Sequence, residues 1–217
     1  MSGAPAESPR LSIAVLVSGN GSNLQAILDA IASGSLSADV RLVVSNRAGV
    51  RALERARSAG VPTVCIPHAD YPSRAAFDER LRAVVEEAGV QWVVLAGFMR
   101  ILGAEFLGRF RHRVVNIHPA LLPAFPGMNA QRQAFEYGVR FTGCTVHLVD
   151  EGVDTGPVID QSVVQIEPDD TLAALEERIH SAEHELLVSV LRSIADGRVR
   201  IAPAEKGARA RVHVARA

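Results

Sequence analysis

Leu11–Val17 reads LSIAVLV and runs directly into SGNGSN at Ser18–Asn23, which opens the amphipathic stretch Asn23–Ile31, NLQAILDAI. A short apolar run rich in β-branched residues is a buried strand, and the stretch after it has its apolar residues at helical spacing. Between them, Gly19 and Gly21 permit the tight turn that joins the two. Strand, glycine loop and helix in this order form the first half of a βαβ unit, so the sheet is expected to be parallel.

The same alternation extends outward. Strands are predicted over Val40–Ser45, Val61–Ile66 and Val90–Ala96, with helices over Val50–Ala59 and Ser73–Ala88. Gly60 and Pro62 punctuate the end of the second helix. Arg113–Ile117 is a further buried strand that ends in NIHP, at what should be the carboxyl edge of the sheet, where ligands of open α/β sheets gather. The pattern then changes. His118–Gly127 contains Pro119, Pro123 and Pro126 and is read as a rigid loop. Thr142–Val149 and Val158–Ile166 follow as strands joined by DEGVDTGP, and Thr171–Ala195 as a long helix capped by Asp169 or Asp170. The expected fold is α/β, a mostly parallel sheet with helices on both faces, whose C-terminal part extends the sheet and ends in the long helix. Residues 11–110 form a mononucleotide-binding part and 111–202 a catalytic part of one domain, with 1–10 and 203–217 as flexible tails.

Bulk properties narrow the function classes. Lys plus Arg number 23 against 24 Asp plus Glu, a net charge of −1 that supplies no general attraction to nucleic acid or an anionic membrane. No apolar run approaches bilayer length, and the first ten residues lack an apolar leader core. Cys65 and Cys144 form no CxxC pair, which fits a reducing cytoplasm. No nucleic-acid or membrane partner is expected, and the oligomeric state is left open, a homodimer included.

Three features can carry chemistry. The loop Gly19, Asn20, Gly21, Ser22, Asn23 at a helix N-terminus suits a phosphate, but it lacks both GxGxxG spacing and a P-loop Lys, so a phosphomonoester fits better than a dinucleotide or NTP. Asn116 and His118 lie two apart on a strand, so their side chains share a face. An uncharged amide can donate to a developing oxyanion, and an imidazole can move protons near neutral pH. The DEGVDTGP loop supplies Asp150, Glu151 and Asp154, any of which would raise the pKa of His118 if brought close. Thr145 and His147 also share a strand face, with His147 a candidate helper.

These residues carry a resemblance. The segments IAVLVSGNGSNLQAI, VVSNRAG, LERARSAGVPT, WVVLAGFMRIL, VVNIHPALLPAFPG and GCTVHLVDEGVDTGPVI are similar to glycinamide ribonucleotide formyltransferases, over about Leu11–Ile201. NIHP with LLP and GxTxHxVxxxxDxGP marks the wider formyltransferase superfamily; SGNGSN and AGFMRIL narrow it to this member. The resemblance implies a Rossmann-like fold with a folate-binding extension. It also implies 10-formyltetrahydrofolate as cosubstrate, glycinamide ribonucleotide as acceptor, and neither a metal nor a covalent enzyme intermediate. Asn116 would polarise the formyl oxygen, His118 would manage protons between amine and leaving N10, and Asp154 would raise the pKa of His118 and order water. Gly19, Asn20, Gly21, Ser22 and Asn23 would hold the ribonucleotide phosphate, with Glu183 beside the glycinamide. Arg74, Met99, Arg100, Ile101, Leu102, Asn116 and Asp150 would contact folate.

The chain departs from some relatives at Met128–Gln133, MNAQRQ, where they carry histidines, so no second catalytic His is expected there. HSAEH at His180–His184 matches an inverted zinc motif, but no third ligand is recognisable and it is not read as a metal site. Arg51, Arg55 and Arg57 are read as a solvated helix face, and Arg209, Arg211 and Arg216 as part of the tail. A methionyl-tRNA formyltransferase would share Asn, His and Asp but is expected to carry a further tRNA-binding domain. A formyltetrahydrofolate hydrolase is expected to carry an N-terminal regulatory domain. A Rossmann-like binding module without chemistry would leave DEGVDTGP unexplained.

Overall fold

The computed structural model describes residues 10–202 and 210–215. Its central sheet has seven strands in the order β3-β2-β1-β4-β5-β6-β7, and its helices cover both faces. The strands are β1 (Leu11–Val17), β2 (Ala38–Ser45), β3 (Thr63–Cys65), β4 (Trp92–Leu95), β5 (Val114–His118), β6 (Phe141–Leu148) and β7 (Val158–Gln165). Pairing is parallel from β3 to β5, and β6 and β7 continue it antiparallel. Strand order reverses at β1, whose neighbours are β2 and β4, and this opens the crevice where such sheets bind ligands.

Residues of β1 alternate between two cores, as a strand buried on both faces must. Ile13, Val15 and Val17 pack with α1 (Ser22–Ala32), α2 (Arg51–Ser58) and α6 (Leu172–Ala195). Ala14 and Leu16 face α3 (Arg74–Glu87) and α4 (Ala104–Arg109), against Phe77, Leu81 and Phe106. Helix α6 buries Leu175, Ile179, Leu187 and Leu191 completely, a stripe at helical spacing; each contributes on the order of 1.5–3 kcal/mol through burial.

Several boundaries differ from the sequence reading. The cap of α6 is Thr171, whose side chain accepts from the Ala174 N–H; Asp170 instead pairs with Arg178 and accepts from the Glu167 N–H. Two short helices were not expected: α4, whose six residues are too brief to show a period, and α5 (Ala130–Tyr137), which follows the proline loop rather than a predicted strand that would mark a βα unit. Beyond α6, β8 (Val199–Ala202), in a stretch given no element, pairs antiparallel with β9 (Arg211–Val214), which falls in the expected tail 203–217. Two four-residue strands alternating Val or Ile with Arg or His are too brief to stand out from a basic, Ala-rich background. The expected tail segments 1–9, 203–209 and 216–217 lie outside the described residues. Among the described residues no helix is long and apolar enough to cross a membrane.

Candidate active site

The reversal of strand direction at β5 builds the centre. Asn116 lies directly opposite His147 of β6, and His118 opposite Thr145, so the four side chains share one face of the sheet. Ile117 and Val146, on the other face, enter the α6 core. The loop from Leu148 to Val158 folds back over the shared face and delivers Asp154, whose backbone is left-handed at φ 53°. Gly156 makes this return feasible: a Cβ there would sit 1.8 Å from the Leu148 carbonyl oxygen. Asp150 organises the loop, accepting from the Gly152 N–H (3.1 Å) and the Thr155 hydroxyl (2.6 Å).

Asp154 Oδ2 lies 3.3 Å from His118 Nδ1 and accepts the Gly127 N–H at 2.8 Å. Its Oδ1 is 3.5 Å from Asn116 Nδ2 and 3.6 Å from His147 Nε2. The Asn116 amide nitrogen also lies 3.1 Å from His147 Nε2, while His147 Nδ1 faces the Leu148 carbonyl at 2.9 Å, which orients the ring so that Nε2 meets both Asn116 and Asp154. His118 Nε2 donates to the Phe125 carbonyl at 2.9 Å. Thr145 secures the proline loop beneath, donating to the Ala120 carbonyl and accepting the Leu122 N–H.

The electrostatics follow from burial. His118 is only 4% exposed, and burial drives its pKa below the ordinary value of 6.5, against the Phe125 carbonyl and the Asp154 carboxylate, which raise it. Asp154 pushes the pKa up, as expected, but the net shift is down, because desolvation of a charged ring outweighs one nearby carboxylate. Burial raises the Asp154 carboxyl, but His147, the Gly127 N–H and His118 together hold it below the usual carboxylate range.

At the end of β1, Gly21 precedes α1 with φ 75°, and a Cβ there would come within 2.6 Å of the Ala52 Cβ. A side chain is excluded by both backbone and space. The loop is braced from α2 by Arg55, which donates to the Asn20 carbonyl (3.0 Å), the Asn20 side chain (3.3 Å) and Gln25 (3.0 Å). Arg55 is thus not the free solvated side chain that the sequence suggested; helical periodicity marks a polar face but not what crosses it. Asn23 donates to Glu183 Oε2 at 3.4 Å, joining the first turn of α1 to α6. Glu183 is 5% exposed, and burial pushes its pKa up to about 7 against the Asn23 hydrogen bond. Within HSAEH, Glu183 thus turns toward Asn23; among the described residues no three His, Cys, Asp or Glu are grouped to hold a metal ion.

The segment after β4 lies beside β1, since Ala96 N–H bonds to the Leu16 carbonyl and Met99 N–H to the Ser18 hydroxyl at 2.8 Å. Its side chains divide: Met99 (62% exposed) and Ile101 (47%) present apolar surface outward, whereas Leu102 is buried and the Arg100 guanidinium lies 4.8 Å over the Phe77 ring. Arg74 is half-exposed on α3, 3.8 Å from Asp78. The sequence reading missed Asp78, together with the Phe125 carbonyl and the Gly127 N–H. Backbone groups leave no sequence signal, and a lone Asp in an amphipathic helix looks solvated.

An α/β sheet with a glycine loop at its switch point thus carries an Asn, His and Asp cluster at its carboxyl edge. The family model described as formyl transferase matches residues 11–191. The chain is 42% identical over 191 residues to the phosphoribosylglycinamide formyltransferase of Escherichia coli (strain K12), covering 88% of this chain and 90% of that protein. It superposes on the glycinamide ribonucleotide transformylase 1 structure from Symbiobacterium toebii with a TM-score of 0.90 and 44% identity, covering 98% of each chain. It is also 50% identical over 194 residues to the trifunctional purine biosynthetic protein adenosine-3 of Drosophila pseudoobscura pseudoobscura, covering 88% of this chain but only 14% of that much longer protein. The chain belongs to the formyl transferase family, and within it to the phosphoribosylglycinamide formyltransferases.

Proposed function

We propose that the protein transfers a formyl group from 10-formyltetrahydrofolate to the amine of glycinamide ribonucleotide, in purine biosynthesis. The observation that carries this reading is the meeting of Asn116 and His118 on Asp154, at 3.5 and 3.3 Å, at the same sheet edge as a glycine loop and an exposed apolar segment. In the reaction the amine nitrogen forms a bond to the formyl carbon, the bond from that carbon to N10 breaks, one proton leaves the amine and N10 gains one.

Asn116 donates to the formyl oxygen as negative charge develops there; its 3.5 Å contact to Asp154 is the weaker of its two and the one exchanged for substrate. His118 is suited to accept the amine proton because burial favours its neutral form. Both of its ring nitrogens face acceptors, the Asp154 carboxylate and the Phe125 carbonyl, so a second proton gains a hydrogen bond as it arrives. Proton traffic requires trading one of these partners for the amine or for a water held by Asp154. Asp154 stays ionised throughout, because its own pKa is held low.

The open space at Gly19 and the start of α1 suit a phosphomonoester, with Arg55 adding positive charge close by. Asn23 and Glu183 would receive the glycinamide end. Met99 and Ile101 offer apolar surface to a flat heteroaromatic ring, and Arg74 a cation for folate carboxylates. Purified protein with both substrates should release tetrahydrofolate in step with formylated ribonucleotide. No product from folded protein would refute the reading, and turnover on methionyl-tRNA alone would transfer it to another formyl transferase activity.

A further inference from the structure

The segment proposed to meet folate is pinned at two points. At its near end the Met99 N–H donates to Ser18 at 2.8 Å; at its far end the Gly103 N–H donates to Asp78 Oδ2, also at 2.8 Å. Met99, Arg100, Ile101 and Leu102 lie between the pins. Gly103 approaches so closely that a Cβ on it would fall 2.6 Å from the same carboxylate oxygen.

Asp78 is a costly residue to place there. It is 5% exposed, burial raises its pKa against the Gly103 N–H, Arg74 and Arg100, and its Oδ1 is buried with no hydrogen-bond donor among the described residues. Its helix neighbours Phe77, Leu81 and Val85 are core residues, and an apolar side chain would pack at this position without the cost of desolvating a charge. The charge has two cationic counterparts. Arg74 Nε lies 3.8 Å away on the same helix, and Arg100, whose own Nε is buried without a partner, projects from the pinned segment over Phe77. Both arginines belong to the set implied for folate, whereas nothing in the chemistry of formyl transfer calls on Asp78.

We propose that Asp78 is a positioning residue for the formyl donor: its carboxylate holds the far end of the 99–102 segment and balances the two arginines there, so that the folate surface is formed before the donor arrives. This rests on the folate reading of that segment. Asp78 contacts neither the glycine loop nor Asn116, His118 and Asp154 through any hydrogen bond or ion pair described above, so its loss should fall on one substrate only. A residue that merely stabilised the fold would disturb both.

The test is steady-state kinetics on the full chain, with tetrahydrofolate binding measured by calorimetry in the absence of ribonucleotide. Asp78→Ala should weaken tetrahydrofolate binding and raise the KM for the formyl donor by about tenfold, with the ribonucleotide KM within about twofold and kcat within about threefold of wild type. Asp78→Asn keeps an oxygen to accept the Gly103 N–H and should recover part of that loss. If Asp78→Ala does not fold, Gly103→Ala replaces it: φ of −83° suits alanine, and the new Cβ pushes the segment off the carboxylate with the same donor-specific effect. Donor constants unchanged in these variants, both KM values rising together, or no recovery in Asp78→Asn would each overturn the proposal. A wild-type protein that neither binds tetrahydrofolate nor turns over would refute the folate reading itself, an outcome distinct from the other three.

Discussion

The parallel half of the sheet and its antiparallel continuation do different work. In the parallel half each strand ends at the same edge and feeds a loop, so β1 and β4 offer backbone N–H groups and short loops, braced from neighbouring helices by Arg55 and Asp78. Such loops bind, but they seldom bring side chains from distant sequence into register. The antiparallel pair does this directly: β6 runs against β5, so Asn116 meets His147 across 31 residues, and the loop after β6 returns Asp154 to both. On the proposed reading, binding falls to the loops after β1 and β4, and proton chemistry to the β5–β6 pair and the loop that follows it.

The sharpest way to break this comparison is Asp154→Asn. An acid-base contribution is on the order of 10²–10⁴ in rate, so kcat should fall by roughly a thousandfold while both KM values stay within a few-fold. Because Asp154 raises the His118 pKa from a position already below 6.5, its removal should also shift the acid limb of any residual pH profile further down. A variant with undiminished kcat, or an acid limb displaced upward, would end the assignment.

Glu183 tests the seam, because it stands on α6 yet faces the glycine-loop helix. Burial pushes its pKa in the folded protein up to about 7, above the ordinary value of 4.5, so the folded state holds a proton that the unfolded chain releases. Stability is therefore lost as pH rises from about 4.5 through 7, by on the order of 3 kcal/mol. Urea unfolding of the ligand-free protein should show Glu183→Gln gaining stability over wild type at pH 8 and little at pH 4; an equal increment at both would discount the buried charge. The smallest effect is expected from Arg55→Gln. Loss of its bonds to Asn20 and Gln25 should raise the ribonucleotide KM by roughly three- to tenfold, on the scale of one or two partly exposed hydrogen bonds, and leave kcat and the donor KM alone. A fall in kcat instead would show that the parallel half takes part in the chemistry.

Much of the architecture was legible because its causes are local. The apolar run at Leu11–Val17 and the helical spacing after it depend on nearest neighbours, and glycine at 21 answers a backbone demand that no other residue meets easily. Asn116 and His118 could be placed on one face from strand geometry alone. The direction of β6 could not: hydrophobic alternation is the same for a parallel and an antiparallel strand, so the positions of His147 and Asp154 came only from the fold and from family resemblance. Arg55 and Asp78 were read past for a related reason, since a charged residue on a helix has the same pattern whether it meets water or a neighbouring loop.

The sequence by itself thus determined the strands and helices, the glycine turn and the chemical identity of the groups at the edge of the sheet, all set by interactions within a few residues. Tertiary structure decided which of those groups meet and how they are charged. The net downward shift of His118 beside a carboxylate, and the upward shift of Glu183, follow from desolvation, which depends on everything packed around a side chain rather than on its neighbours in the chain.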